Sequence, residues 1–581
     1  MTNASTRRPP GSVVLLFFAI VLAVGGGWLA QRTLTDAGRV SVDTIFFVAD
    51  DGRRMAADLY VPETATSESP APGVLAVHGY INDRGTQSPY AIELARRGYV
   101  VLSIDQPGHG NSDPPAFAGG FGGPDGLAHL RTLPMVDDER IALIGHSMGG
   151  WAVLIAAGTA PDAYEAVAVS GSSTGTFGAP EGTPTFPRNL GLVFSQYDEF
   201  SELMWGAATG AAVTETQKLA DLFGTEPPVE PGRLYGSIDE GTARWLAQPP
   251  VTHPGDHITV AGVAPVVDWL QRTVPAPSPL PADEQVWMLK EAGTAAGLLG
   301  LFLMLFAAAG LWLRTPAFAP LQGVPARGAG GGGLGWWISA LILIVVPAGS
   351  YFWLNNQAAD WFPVRAAFPQ EITNGLAVWA VGNAALALVL FLFWMLVAGR
   401  RVGGAGVGLG GNLLRSLGLA LATVGSGYVL LLVVHGLFGT DFRAWVLAAR
   451  PLDALHAQIA APYLLPFAFF FVVIALVLHG QLRAPEASQA ASVIGNGVLM
   501  GAGIAGLLVI QYVPLFSGQP LPLGEPLLTI VAFQLLVLLP VTGMLSSYLF
   551  EKTGSIWPGA FANAMFISWY VIASQATHVA L

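Results

Sequence analysis

Residues 145–149 read Gly-His-Ser-Met-Gly, a match to Gly-x-Ser-x-Gly. That spacing sets a serine hydroxyl on a sharp strand-to-helix turn, beside a main-chain N–H at the positive end of the helix. With 71 glycines in the chain the pattern also arises by chance, and Gly171–Gly175 matches it around Ser173. Context separates the two. Ser147 is preceded by the strand-like RIALIG (140–145) and followed by the helix-like MGGWAVLIAAG (148–158). Ser173 runs into TFGAPEGTPTFP, which cannot form a helix. Ser147 is therefore the candidate nucleophile and Ser173 a loop serine.

A serine nucleophile needs a base in hydrogen-bond reach, and the base needs an acid to orient it. In a fold with this elbow the chain order is Ser, acid, His. Of the ten histidines, His78, His109, His129 and His146 precede Ser147, and His435, His456, His479 and His578 lie in the apolar second half. His253 and His257 remain, between a last strand (ARWLAQ, 243–248) and a last helix. His253 is preferred as the base because it comes sooner after the strand, with His257 in reserve. Asp198, after the strand LGLVFS (190–195), is the acid, with its neighbour Glu199 in reserve. The amides of Met148 and Tyr80 would form the oxyanion hole. His78 in His78-Gly79-Tyr80 is then a structural histidine. This chemistry calls for no metal or organic cofactor, and with no cysteine in the chain thiolate chemistry and disulfides are excluded.

The elements that must position these residues alternate. VSVDTIFFVA, the turn Asp51-Gly52 and RMAADLYVP read as a hairpin, GVLAVH (73–78) as a buried strand, SPYAIELARRG (88–98) as an amphipathic helix and YVVLSID (99–105) as the next strand. EAVAVSG (165–171) and LGLVFS continue the series, and VAPVVDWLQRTV (263–274) closes it. The expectation is an α/β fold with a mostly parallel sheet covered on both faces, whose chemistry sits beyond the carboxyl ends of the strands. The 18 residues 172–189 leave no room for a lid insertion after EAVAVSG, which favours small or exposed substrates.

VLAVHGY, LARRGYVVLSIDQPGHGNSD and IALIGHSMGGW, in this order, resemble the α/β-hydrolase fold, nearest to the serine hydrolases around dienelactone hydrolase and the serine-peptidase-like esterases. The resemblance spans about residues 40–275. It implies Ser147, Asp198 and His253 as a triad and the Tyr80 and Met148 amides as the oxyanion hole. Ser195 stands where the pattern often has glycine, and the spacing from acid to histidine is longer than usual.

The rest of the chain is a different material. Of 581 residues 52% are hydrophobic and 11% charged, against about a quarter charged in a soluble protein. Residues 300–581 hold 10 Lys and Arg and 7 Asp and Glu, while the whole chain carries −12, so the first half is strongly acidic. No basic cluster is present to neutralise phosphates, which disfavours nucleic acid as a partner. The run Val13–Ala30, after Arg7 and Arg8, is long enough to cross a ~30 Å hydrocarbon core. It lacks an A-x-A-like cleavage site and reads as an uncleaved anchor rather than a signal peptide. Further apolar runs fall near 294–313, 337–354, 374–398, 413–438, 460–480, 491–512, 526–548 and 557–577. The expected organisation is a cytoplasmic tip and anchor (1–34), an extracytoplasmic hydrolase domain (35–275), a linker (276–292) and a membrane domain of about eight helices (293–581). With the N-terminus inside, Arg314, Arg327, Arg400, Arg401, Arg415, Arg483 and Lys552 all fall in cytoplasmic loops, as positive charge should. The glycine-rich stretches Gly328–Gly335 and Gly403–Gly411 read as flexible loops there.

Polar residues inside the apolar runs are few, chiefly Asn383, Gln511 and Gln534. EKTGSIWPGAFANAMFISW resembles the closing motif of CAAX-type intramembrane metalloproteases, with Asn563 where that family has His and Ile567 where it has Asn. The upstream glutamate pair is missing too, so the resemblance implies a lost metal site and a scaffolding bundle. The sequence reading is thus a multi-pass cell-membrane serine hydrolase acting on a small-molecule or lipid ester, amide or peptide. Two alternatives stand beside it: a transporter, flippase or scaffold whose globule is a sensor or acyl-handling module, and an acyltransferase.

Overall fold

The computed structural model describes residues 11–325, 333–397, 412–484 and 487–580. Gly403–Gly411, most of Gly328–Gly335, and Arg7, Arg8, Arg327, Arg400 and Arg401 lie outside the described residues. The chain opens with helix α1 (Gly11–Leu34). Its contacts divide it into two units that do not follow a single cut in the sequence. One comprises 1–28, 292–509 and 527–573, and the other 29–291, 510–526 and 574–581.

The second unit is built on a nine-stranded sheet: β1 (Val40–Val48), β2 (Arg54–Pro62), β3 (Ala71–Val77), β4 (Val100–Ile104), β5 (Val136–His146), β6 (Ala166–Ser170), β7 (Leu190–Val193), β8 (Leu234–Tyr235) and β9 (Arg244–Ala247). The order is β1-β2-β4-β3-β5-β6-β7-β9-β8. The run from β4 to β9 is parallel, and β1, β2 and β8 add antiparallel edges. The hairpin β1–β2 turns at Asp51-Gly52, where Gly52 has φ +88°. Central strands β3, β4, β6 and β7 are buried at every position, so they need cover on both faces. Helices α2 (Ser88–Arg96) and α7 (Val260–Thr273) supply it on one face, α3 (Gly123–Leu130) and α4 (Met148–Thr159) on the other. The stretch 172–189 forms no helix or strand. The chain makes its excursion later, between β7 and β9, through α5 (Ser201–Trp205) and α6 (Gln217–Phe223). Each of these short helices stops at a left-handed glycine, Gly206 (φ +68°) and Gly224 (φ +63°).

The first unit is helical: α8 (Trp287–Trp312), α9 (Leu334–Gly349), α10 (Tyr351–Asn356), α11 (Ala358–Trp361), α12 (Glu371–Val397), α13 (Leu413–Phe438), α14 (Ala454–Leu476), α15 (Gln489–Leu515), α16 (Pro526–Thr553) and α17 (Trp557–Ser574), with a small hairpin β10 (Phe442–Ala444) and β11 (Leu447–Ala449). Among the described residues seven helices, α1 included, are long and apolar enough to cross a membrane. The pair of α9 with α10–α11 is long and apolar enough together and bends by 49° at a short break, the form of a broken span or a re-entrant loop. The protein is accordingly a multi-pass membrane protein. The run at 557–577, expected as one more span, is an 18-residue helix that does not reach the apolarity of the others. Its Asn563 amide donates to the Thr542 carbonyl at 2.8 Å, a tie between helices. Small residues let α1 and α8 approach closely: a Cβ on Gly26 would meet the Gly293 carbonyl oxygen at 2.2 Å. Gln511 lies near the end of α15. It belongs to the segment 510–526, where its amide spans Gly524 O (2.7 Å) and Leu523 N (3.0 Å).

Candidate active site

Ser147 sits between the end of β5 and the first turn of α4, with φ 55° and ψ −123°. A non-glycine residue there is strained, a cost tolerated where the surrounding fold imposes the turn. Its main-chain N–H donates to Ser170 O (2.8 Å), and its carbonyl accepts from Gly150 N (2.8 Å). The flanking glycines are steric requirements of this elbow. A Cβ on Gly145 would stand 2.1 Å from Gly149 O, and one on Gly149 would stand 2.0 Å from Val77 O. The Ser147 side chain is half-buried. Met148 opens α4, where a main-chain N–H has no acceptor within the helix. Gly79, next to Tyr80, lies against Ser147, a Cβ there meeting the Ser147 Cβ at 2.9 Å. Ser173, by contrast, is held in its loop, its hydroxyl 2.9 Å from that of Thr176.

His253 and His257 open and close a single 3₁₀ turn between β9 and α7. The structure brings His253 to the acid: its Nδ1 is 2.9 Å from Asp198 Oδ2. The second Asp198 oxygen accepts the Phe200 N–H at 2.7 Å. Ring packing by Phe200 (4.5 Å between centroids) and His146 (4.7 Å) fixes the imidazole. A Cβ on Gly171, at the end of β6, would meet His253 Nδ1 at 2.8 Å, so this imidazole lies at the carboxyl ends of the strands. Burial lowers the proton affinity of the imidazole, but the Asp198 charge and hydrogen bond outweigh it, and the His253 pKa is raised above its ordinary value. His257 is buried and packs its ring on that of His146 at 4.3 Å.

Glu199 reaches the main chain of His253 rather than its ring. Its Oε2 accepts the main-chain N–H of His253 (2.7 Å), and its Oε1 accepts the hydroxyl of Tyr512 (2.7 Å). Burial, then the neighbouring Asp198 charge, pushes its pKa up to about 7 against the opposing pull of His253. Ser195 donates its hydroxyl to Asp256. Burial holds the Asp256 carboxyl well above the usual carboxylate range.

The other motif residues form the walls. His78 takes the Gln106 N–H on Nε2 (3.0 Å) and places Nδ1 2.7 Å from Gly79 O, bracing the loop that carries Tyr80. Asp105 of IDQPGHGN accepts the main-chain N–H groups of Arg84 (2.7 Å) and Asn111 (2.9 Å) and pairs with the Arg84 guanidinium. The Tyr80 hydroxyl lies 2.9 Å from Nε2 of His578, whose segment is tied down by Thr577 N to Gly108 O and Ala116 N to Thr577 O, both 2.8 Å. Tyr512 and His578 escaped the sequence reading, since a tyrosine and a histidine at the ends of apolar runs carry no motif. Among the described residues no group of three His, Asp or Glu could hold a metal ion.

Comparison with known proteins gives the same fold. The profile of the serine aminopeptidase S33 family matches residues 68–190, which include Tyr80 and Ser147 and end before Asp198. A 2-hydroxy-6-oxononadienedioate/2-hydroxy-6-oxononatrienedioate hydrolase of Cupriavidus pinatubonensis is 35% identical over 82 residues, 14% of this chain and 28% of that protein. The uncharacterized protein YfhR of Salmonella typhi is 25% identical over 167 residues, 27% of this chain and 57% of its own. The chain thus spans less than two thirds of these curated relatives. Among solved structures, epoxide hydrolase A from Mycobacterium thermoresistibile is similar over 23% of this chain and 40% of its own, at 23% identity and TM-score 0.20. From the sheet order, the elbow and the profile match, the chain carries a domain of the α/β-hydrolase fold joined to a helical membrane part.

Proposed function

We propose that the protein is a serine hydrolase that cleaves a carboxylic ester, or an amide or peptide bond, through an acyl-enzyme. Ser147 Oγ attacks the carbonyl carbon as His253 Nε2 takes its proton. The Tyr80 and Met148 amides receive the oxyanion, and Asp198 holds the imidazole through Nδ1 and favours its charged form. His253 then returns the proton to the leaving group, and water, deprotonated by His253, releases the acid and restores Ser147. The observation that carries this reading is the buried 2.9 Å pair of Asp198 and His253, in a domain whose strand-to-helix turn holds Ser147 at φ 55°. The substrates it fits are small-molecule or lipid esters and peptides. The test is hydrolysis of a panel of p-nitrophenyl and lipid esters and aminoacyl amides by the purified full-length protein. Turnover that Ser147→Ala abolishes supports the proposal; turnover that survives the substitution removes it.

The site is placed outside the cytoplasm in this reading. Arg314, Arg415, Arg483 and Lys552 fall on one side of an alternating series of spans. Counting α9–α11 as one crossing and α17 as another, alternation returns 35–286, 516–525 and 575–580 to the opposite side. Those stretches fall in a single contact unit.

A further inference from the structure

Two consecutive carboxylates hold His253 at different atoms, Asp198 at the ring and Glu199 at the main chain. Fastening a main-chain N–H does not require a charge, since a neutral amide oxygen accepts equally well. A buried carboxylate beside another carboxylate is costly, and it persists only where donors are supplied. Here the second donor comes from far along the sequence. The Tyr512 hydroxyl reaches Glu199 Oε1 at 2.7 Å from the last turn of α15, within the stretch 510–526 that shares a contact unit with Glu199. The segment is built to hold it there. Gln511 clips the segment's ends through Gly524 O and Leu523 N, and Phe516 packs edge-on to Tyr197 at 5.3 Å. Tyr197 in turn pairs with the loop before His253, its N–H donating to Val251 O at 3.1 Å.

We propose that Tyr512 is a positioning residue for His253, acting through Glu199, so that the end of α15 completes a site the first 285 residues only begin. The proposal rests on the serine-hydrolase reading. Three titratable groups face the Glu199 carboxylate: Asp198, His253 and Tyr512, with Asp256 facing His253 from the 3₁₀ turn. A charged Glu199 favours the protonated imidazole. The phenol favours the charged form of Glu199, because its hydrogen bond to the carboxylate is stronger than one to the neutral carboxyl.

The experiment uses full-length protein in detergent or nanodiscs with a p-nitrophenyl ester, and measures kcat and KM across pH for wild type, Tyr512→Phe, Glu199→Gln, the double variant and Phe516→Leu. Tyr512→Phe should lower kcat about 10-fold, the scale of a small misplacement of a catalytic group, with KM little changed. Its acid limb of kcat/KM should move to lower pH, in the same direction as that of Glu199→Gln. The double variant should be no worse than Glu199→Gln alone, because both act along one path. Phe516→Leu, which loosens the packing of the segment but removes neither hydrogen bond of Glu199, should move the limb less than Tyr512→Phe. Additive losses in the double variant, or a limb that stays put in Tyr512→Phe and Glu199→Gln, overturn the proposal. If Tyr512→Phe does not fold, an unmoved limb in Glu199→Gln alone overturns it. The hydrolase reading fails separately, by wild-type protein without Ser147-dependent turnover, and takes this proposal with it.

Discussion

Glu199 accepts the main-chain N–H of His253 at 2.7 Å, while the residue before it, Asp198, stands 2.9 Å from the ring nitrogen of the same histidine. One dipeptide therefore sets both the height of the turn that carries the base and the orientation of its imidazole. The arrangement separates two effects that are commonly mixed in a single acid.

Replacing Asp198 by Asn should leave the turn in place through Glu199 but remove the charge that favours the imidazolium. On the serine-hydrolase mechanism kcat/KM should fall on the order of 10³-fold or more, with KM changed far less. The His253 pKa is raised in the native site, so the acid limb of wild-type kcat/KM should lie above the ordinary imidazole value of about 6.5. A pH profile of both proteins checks this. An acid limb below that value contradicts it.

Glu199 also predicts how stability depends on pH. Its carboxyl is raised from 4.5 to about 7 in the folded protein. The folded state therefore holds the proton more tightly than the unfolded state. The stabilisation is fully present below about 4.5 and is lost as pH rises through about 7. Thermal melts of the detergent-solubilised protein should show a Tm declining across that interval. Glu199→Gln should flatten this part of the dependence. An identical slope in both proteins counts against the assignment.

Ser195 donates its hydroxyl to the buried carboxyl of Asp256. Ser195→Ala removes that donor and leaves a buried polar group short of a partner, at about 1–3 kcal/mol. The expected result is a lower Tm with kcat reduced much less than by Asp198→Asn, measured on the same preparations. A Tm unchanged within error would mean that the hydrogen bond contributes nothing net.

The absence of native cysteines makes sidedness directly measurable. Ser278 and Ser488 are both exposed, one before α8 and one between α14 and α15. Ser278→Cys should react with a membrane-impermeant maleimide in intact cells, and Ser488→Cys only after permeabilisation. The reverse pattern would invert the proposed topology.

The parts of this protein visible in its sequence are those fixed by local rules. The elbow needs glycine at 145 and 149 because Cβ atoms there would strike main chain 2.1 Å and 2.0 Å away, so the motif carries its own geometry. The buried strands β3 and β4 show as continuous apolar runs, and α2 and α7 as amphipathic helices. Short elements were harder. The five-residue α5 and seven-residue α6 present less than two turns of periodicity, and they hid the excursion between β7 and β9. Apolar runs located the spans, but 557–577 includes Asn563, two tryptophans and a proline that dilute its apolarity. Contacts over 313 and 498 residues of separation, Glu199 to Tyr512 and Tyr80 to His578, leave no local trace.

The central claim is an activated serine at position 147, and active-site labelling addresses it without knowledge of the substrate. Intact cells producing the full-length protein would be treated with a membrane-impermeant fluorophosphonate, with Ser147→Ala as the control. Labelling of wild type and not of Ser147→Ala is the predicted result, and it would report the outward-facing site at the same time. A wild-type protein that stays unlabelled both in intact cells and after lysis would contradict the account.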